Sequence, residues 1–257
     1  MFKRTLISLV AFSFAFQAIA EEKEAPAPAA APKDAKAILT AMDDEYAKAQ
    51  DMDMKQVFTV YKGDKVEKVV EAEAKQKIPA KRLIRILKPA ADKGMAILVE
   101  DAGSTFVYLP KFNKTRRVAS HSKNQSFLGT DITEKDIAVV RYDDGFIPEF
   151  IEETAEFYKL KLTPKPNFDF GADFFHIYID KKNKFMTKLE AYNADGELLK
   201  VQTRDKMEII NGAPVQRLVT WSDIQKGTKT VMEMVEVKIN TGMPDSVFTK
   251  RNLEWGK

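Results

Sequence analysis

The stretch Phe174–Thr203, FFHIYIDKKNKFMTKLEAYNADGELLKVQT, decides the fold. Phe175, Ile177 and Ile179 alternate with Phe174, His176 and Tyr178, the two-residue period of a strand. Lys181-Lys182-Asn183 interrupts the pattern, Lys184 to Tyr192 resumes it, and Asn193-Ala194-Asp195-Gly196 turns the chain into Glu197 to Thr203. Connections this short join antiparallel neighbours, because a parallel return needs a long crossover. The segment reads as a meander.

The same pattern continues on both sides. Downstream, Asn211-Gly212 introduces Val215 to Trp221, and Thr230 to Ile239 closes the series. Upstream, Gln56 to Lys62, Val66 to Lys75, Arg82 to Lys88, Met95 to Glu100 and Thr105 to Leu109 are separated by Gly63-Asp64, Pro79, Pro89 and Gly103. A sheet of about ten or more strands curls into a barrel or half-barrel. One helix precedes it: Asp34 is a suitable N-cap, and Ile38, Leu39, Met42, Tyr46 and Ala49 form one apolar face up to about Gln50. At the far end, Pro244 to Phe248 reads as a short capped helix and Asn252 to Trp255 as an edge strand. In Thr230 to Ile239, strict alternation places Val231, Val235, Val237 and Ile239 opposite Met232, Met234, Glu236 and Lys238. The chain has 10 methionines. Their flexible thioethers suit either a wall that accepts varied apolar shapes or an ordinary core, and both readings stand.

The N-terminus reads as an export signal: Lys3 and Arg4, an apolar run from Leu6 to Phe16, then Ala18-Ile19-Ala20 with cleavage expected before Glu21. That run is too short for a membrane span, which takes roughly 20 residues. The segment 21–33, EEKEAPAPAAAPK, has the composition of a flexible leader, leaving 34–257 as a single expected domain. Export into a disulfide-permissive compartment with no cysteine in the chain implies a fold held by its core, and no site for lipidation. The expected location is the Gram-negative periplasm, as a soluble protein. Loss of Lys3 and Arg4 takes the formal net charge from +3 to +1, without the basic excess of a nucleic-acid binder.

Catalytic patterns fail on inspection. Ser120, Ser122 and Ser126 flank His121 without a G-x-S-x-G elbow. Asp169-Phe170-Gly171 lacks the companion motifs of a kinase, and His121 and His176 lack metal-ligand spacing, so neither metal nor cofactor is expected. His176 is expected to pack beside Phe174 and Tyr178. The adjacent carboxylates Asp43-Asp44, Asp143-Asp144 and Glu152-Glu153 point apart on a regular element and read as solvated surface.

A block between Arg85 and Asp136 carries a resemblance. Arg85-Ile86-Leu87-Lys88-Pro89 with Lys93-Gly94, Val107-Tyr108-Leu109-Pro110, Arg116-Arg117 and Ser126-Phe127-Leu128-Gly129-Thr130-Asp131 resemble, in order and spacing, the outer-membrane lipoprotein-sorting proteins of the LolA/LolB-like type. The similarity is to their larger branch, associated with membrane exporters of the RND/MMPL type. The resemblance implies a mainly β fold, an unclosed antiparallel β-barrel or half-barrel with a few helices covering an apolar cavity. It implies a non-enzymatic carrier or chaperone for lipid or lipoprotein acyl chains, with an RND/MMPL-type transporter as partner. An acyl chain buries about 0.8 kcal/mol per methylene, so its passage through water requires such a cavity.

The residues expected to line the cavity are Phe58, Ile84, Ile86, Leu98, Phe106, Tyr108, Met232 and Met234. A rim or lid role is expected of Arg85, Arg116, Arg117 and Lys123, with Arg82 a further candidate for the lid-holding cation. The alternative is an accessory protein whose basic loop, Lys111, Lys114, Arg116, Arg117 and Lys123, docks on an acidic partner or anionic lipid.

Overall fold

A computed structural model describes residues 34–101, 104–118, 126–133, 136–137, 141–166, 168 and 170–255. The expected signal and leader lie outside the described residues, as do Ser120, His121, Ser122, Lys123 and Asp169.

Helix α1 (Ala35–Ala47) starts as its sequence predicts, with the Asp34 carboxylate accepting from the Lys36 and Ala37 amides at 3.0 Å. Six strands follow: β1 (Asp51–Lys62), β2 (Lys65–Lys77), β3 (Lys81–Lys88), β4 (Ala96–Asp101), β5 (Ser104–Leu109) and β6 (Lys114–Arg117). After a crossing segment comes the short helix α2 (Tyr142–Gly145). Seven more strands complete the sheet: β7 (Phe146–Glu153), β8 (Phe157–Pro164), β9 (Phe174–Asp180), β10 (Met186–Tyr192), β11 (Leu198–Ile210), β12 (Ala213–Asp223) and β13 (Thr228–Ile239). Helix α3 (Lys250–Trp255) is the last element among the described residues.

All thirteen strands form one antiparallel sheet in the order β6-β5-β4-β3-β2-β1-β13-β12-β11-β10-β9-β8-β7. Two sequential meanders are joined by a single long-range pairing, β1 with β13. β6 and β7 remain as edges, so the sheet is an open half-barrel and does not close on itself. A two-residue hairpin forms where expected: Asn211 and Gly212 at φ +47° and +78° connect the paired Ile210 and Ala213, the left-handed conformation that such a turn demands.

Several local expectations are corrected. β7 and β8 were masked in the sequence by Pro148 and the Glu152-Glu153 pair; β7 is an edge strand, where a proline can sit because one side needs no ladder hydrogen bond. The basic Lys114–Arg117 is the opposite edge, and its charges guard an unpaired strand against association. Asn252 to Trp255 is helix, not strand, because its apolar residue Leu253 docks on the sheet face rather than beside an edge. In β13 the pairing shifts between Lys55 and Gln56 of β1, leaving Val235 as a bulge that is half exposed. The bulge defeats strict alternation, so Met232, Met234, Val237 and Ile239 all contribute to packing on the inner side.

The inner face carries two apolar clusters. Leu39 and Met42 of α1 pack on Phe146, Leu160, Leu162, Phe175 and Ile177 at the β7–β9 end. Met54, Phe58, Ile84, Ile86, Ile97, Val219, Trp221 and Met232 form the second, joined by Phe127, Ile132 and Ile137 of the crossing segment. The outer face is covered at β3–β5 by the C-terminal segment, with Leu83, Ala96 and Leu98 against Met243, Phe248 and Leu253.

Candidate functional site: a cavity under the helical cover

A cavity of ≈ 270 Å³ lies between α1, α2 and the inner face of the sheet, near the lower end of the roughly 300–1,000 Å³ range of small-molecule pockets. Its apolar wall comes from Met52, Met54 and Phe58 of β1, Ile84 of β3, Val219 and Trp221 of β12, and Met232 and Met234 of β13. Four methionines thus share one wall. Their unbranched side chains can re-pack around differently shaped apolar groups.

One end of the wall is a folded plug. The Ser126–Asp131 turn places Leu128 and Gly129 at φ +53° and +75°, while the Phe127 amide donates to the Ile132 carbonyl at 2.8 Å. The turn thereby inserts Phe127 and Ile132, and the Phe127 ring meets Phe58 edge-on at 6.5 Å. Asp131 pins the plug to β13: its carboxylate accepts from the Thr228 and Thr230 hydroxyls, and its amide donates to Thr230 Oγ1 at 2.9 Å. Lys200 adds a bond to the Asp131 carbonyl at 2.8 Å and an ion pair with Asp136 at 3.1 Å. The S-F-x-G-T-D block is therefore part of the cavity's boundary, fixed by buried hydrogen bonds.

The cavity also has a cationic side. Arg82 and Arg204 are deeply enclosed, yet each keeps surface that lines the void. Arg82 donates to the Ile137 carbonyl and, at 2.8 Å, to Gln76 Oε1. Burial pulls its pKa down to about 10, with Tyr142 opposing and the neighbouring Arg204 reinforcing the drop. Arg204 reaches the hydroxyls of Tyr46 (3.3 Å) and Tyr142 (3.2 Å) in the helical cover, and the amide oxygens of Gln202 (3.3 Å) and Gln216 (3.4 Å). Burial acts to lower its pKa as well, but Tyr142 and Tyr46 outweigh burial and raise it.

Where α1 meets α2, the expectation of solvated carboxylates holds for Asp44 and Asp144 and fails for Asp43 and Asp143. Asp43 is buried and accepts from the Tyr142 and Asp143 amides at 2.9 and 2.8 Å, because α2 needs acceptors for its leading N–H groups. Burial drives its carboxyl well above the ordinary range, aided by the adjacent Asp143 carboxylate. Asp143 moves the other way, held low chiefly by Arg141, whose guanidinium grips it at 2.8 and 3.0 Å.

The sequence-selected residues separate into two groups by strand register. Phe58, Ile84, Met232 and Met234 line the cavity, and Ile86 belongs to the same apolar cluster without lining the void. Leu98, Phe106 and Tyr108 lie on the opposite face: Leu98 pairs with Leu83 and Phe106, whereas the inward Ile84 pairs with Ile97. Directly paired residues share a face, so these three pack beneath α3. Arg85 is also outside, donating to the Asn252 and Leu253 carbonyls at 2.5 and 3.2 Å and capping α3. Arg116 and Arg117 sit exposed on edge strand β6, and Lys123 is outside the described residues.

Sequence reasoning missed Arg204, Trp221 and the two tyrosines as members of the site. A signal existed: Lys200, Gln202 and Arg204 recur at period two on β11, a polar row where a filled core would be apolar. His176 lies where expected, its ring 5.5 Å from Phe174 on the outer face, with Tyr192 at 4.8 Å.

Comparisons with known proteins accord with this architecture. A domain from Vibrio parahaemolyticus provisionally classed as an outer membrane lipoprotein-sorting protein superposes with a TM-score of 0.79 at 17% identity, covering 86% of this chain and 98% of that one. A DUF1329 family protein from Desulfovibrio piger gives 0.77 at 21% identity, with coverages of 85% and 98%. A LolA superfamily protein from Nitrosomonas europaea gives 0.71 at 22% identity, with coverages of 86% and 99%. No curated protein matches the chain. A family model described as "-like: Uncharacterized protein" matches residues 79–255. The chain belongs to that family, and its fold is the open half-barrel of the LolA-like proteins.

Proposed function

We propose that this protein is a non-enzymatic periplasmic carrier that shields the acyl chains of a lipid or lipoprotein. The observation that carries the reading is the methionine-lined cavity enclosed between the open sheet and its helical cover. Apolar surface moved through water costs free energy in proportion to its area, and a preformed apolar void removes that cost without unfolding the carrier. Residues 1–20 serve as the signal, 21–33 as a leader and 34–257 as the carrier domain. Phe58, Ile84, Met232 and Met234 contact the chain. The likeness to lipoprotein-sorting domains supports the same reading, and an RND/MMPL-type exporter is the proposed donor of cargo.

Native mass spectrometry of the mature protein, released gently from the periplasm, tests the proposal. Co-purifying acyl-bearing ligand is the expected result. Ligand-free protein that also fails to bind fluorescent acyl probes overturns it. A second reading, an accessory protein docking an acidic partner, is favoured by the exposed Lys111, Lys114 and Arg116 at the β5–β6 edge. Reversal of Lys114 and Arg116 to glutamate discriminates: loss of partner capture with intact lipid binding favours docking.

A further inference from the structure

The cavity holds two positive charges, Arg82 and Arg204, that form no ion pair among the described residues. Among the described residues, its other ionic groups are matched: Arg141 with Asp44 and Asp143, Lys200 with Asp136. Asp43 faces the same space; its Oδ2 accepts from two amides, its Oδ1 is buried without a partner, and no ion pair joins it to Arg82 or Arg204 among the described residues. Arg82 and Arg204 bond only to neutral carbonyl, amide and phenol oxygens. Two further donors lack an acceptor. Arg204 Nε and Trp221 Nε1 are both buried without a hydrogen-bond partner, in residues that line the cavity. A buried donor without an acceptor is costly, and a buried guanidinium without an anion is more so, unless a ligand completes it.

We propose that the cavity takes an anionic amphiphile, its carboxylate or phosphate head group drawn inward to Arg82, Arg204 and Trp221 Nε1 while its alkyl chain lies along Met52, Met54 and Met232. The inference rests on the carrier reading and deepens it, because it makes the cavity selective for charge as well as for apolar length. Guanidinium groups suit this role: they stay charged when enclosed and present planar pairs of donors to an oxyanion.

The test uses the mature full chain and a ligand series of one chain length: laurate, dodecyl phosphate, dodecanol and dodecyltrimethylammonium, with inorganic phosphate alone. Isothermal titration or probe displacement is expected to rank laurate and dodecyl phosphate at least about tenfold tighter than dodecanol, as charged hydrogen bonds warrant. The cationic amphiphile should bind weakest, and inorganic phosphate should not compete. Dodecanol equal to laurate overturns the anion site while leaving the carrier reading intact. Failure of all four amphiphiles overturns the carrier reading itself, and tight binding of inorganic phosphate alone shows a free-anion site instead. Arg82→Gln should bring the laurate-to-dodecanol ratio close to one, and Arg204→Gln should do the same. Because Arg204 also braces Tyr46 and Tyr142, the Arg82 variant and the wild-type ligand series decide the matter if Arg204→Gln does not fold.

Discussion

The two faces of β3–β5 are built from alternate residues of the same strands, yet they are covered in opposite ways. Outward, Leu83, Ala96, Leu98 and Phe106 are sealed by Met243, Phe248 and Leu253, with Arg85 capping α3 and Lys250 Nζ seated 4.1 Å from the Phe106 ring centre. The cover is anchored upstream by the buried Asp51, whose carboxylate accepts from the Thr241, Gly242 and Met243 amides at 2.8–3.1 Å. Inward, Ile84 and its neighbours face a void bounded by the Phe127 plug. One cover is apolar and filled; the other leaves space, and its helix α1 is packed apolarly at the β7–β9 end, through Leu39 and Met42. Dense packing makes a seal, whereas a wall that borders a void can be met by another apolar group without breaking a close-packed interface.

The largest effect that should sharpen this contrast is a truncation on each side. Leu98→Ala, at a site with no solvent exposure, is expected to cost roughly 3–5 kcal/mol in urea unfolding. Met232→Ala, whose side chain already borders empty space, should cost about 2 kcal/mol or less and alter acyl-probe affinity, which Leu98→Ala should not. Equal costs would mean that the inner wall is packed like a core.

Next is the plug. Thr230→Val keeps the shape but strips the Asp131 amide of its acceptor, and should destabilise by about 1–3 kcal/mol while raising hydrogen exchange in 126–132. Unchanged exchange there would detach the plug from the cavity boundary. Arg85→Gln should cost about 1–2 kcal/mol and fray α3, seen as faster exchange of Leu253 and Glu254, with no change in acyl binding. A loss of acyl binding instead would tie the outer cover to the cavity.

The smallest effect concerns pH. The Asp43 carboxyl is raised in the folded state, so its contribution is full below the unfolded value of 3.8 and is lost as pH rises through the folded value. Asp143 has the opposite sign: its folded pKa is depressed, so its contribution is lost as pH falls. The joint between α1 and α2 should therefore loosen as pH rises toward neutrality, measured as faster exchange of the Tyr142 and Asp143 amides after correction for intrinsic rates. Asp43→Asn, which stays neutral, should flatten that dependence.

The meander was legible because alternation and turn chemistry are local: Phe174 to Thr203 and Asn211-Gly212 carry their structure in a few residues. The helix cap at Asp34 was legible for the same reason. Which face looks inward was not, since it depends on register, and one bulge at Val235 or one strand pairing reassigns every side chain beyond it. The sequence places Phe58, Ile84, Ile86, Leu98, Phe106, Tyr108, Met232 and Met234 alike on the cavity side, yet Leu98, Phe106 and Tyr108 lie across the sheet from the rest. Arg204 and Trp221 sit diagonally across the hairpin that Asn211-Gly212 sets, whereas the placing of Tyr46 and Tyr142 over Arg204 depends on how the helices pack, which no spacing in the chain encodes.

The unpaired edges of the sheet have a mechanical meaning. In a closed barrel, strand number and stagger fix the circumference, so the interior has one size. Here β6 and β7 are the two ends of the strand order, so no closure of that kind sets the interior's size, and the curvature between the two meanders can change without breaking a ladder hydrogen bond.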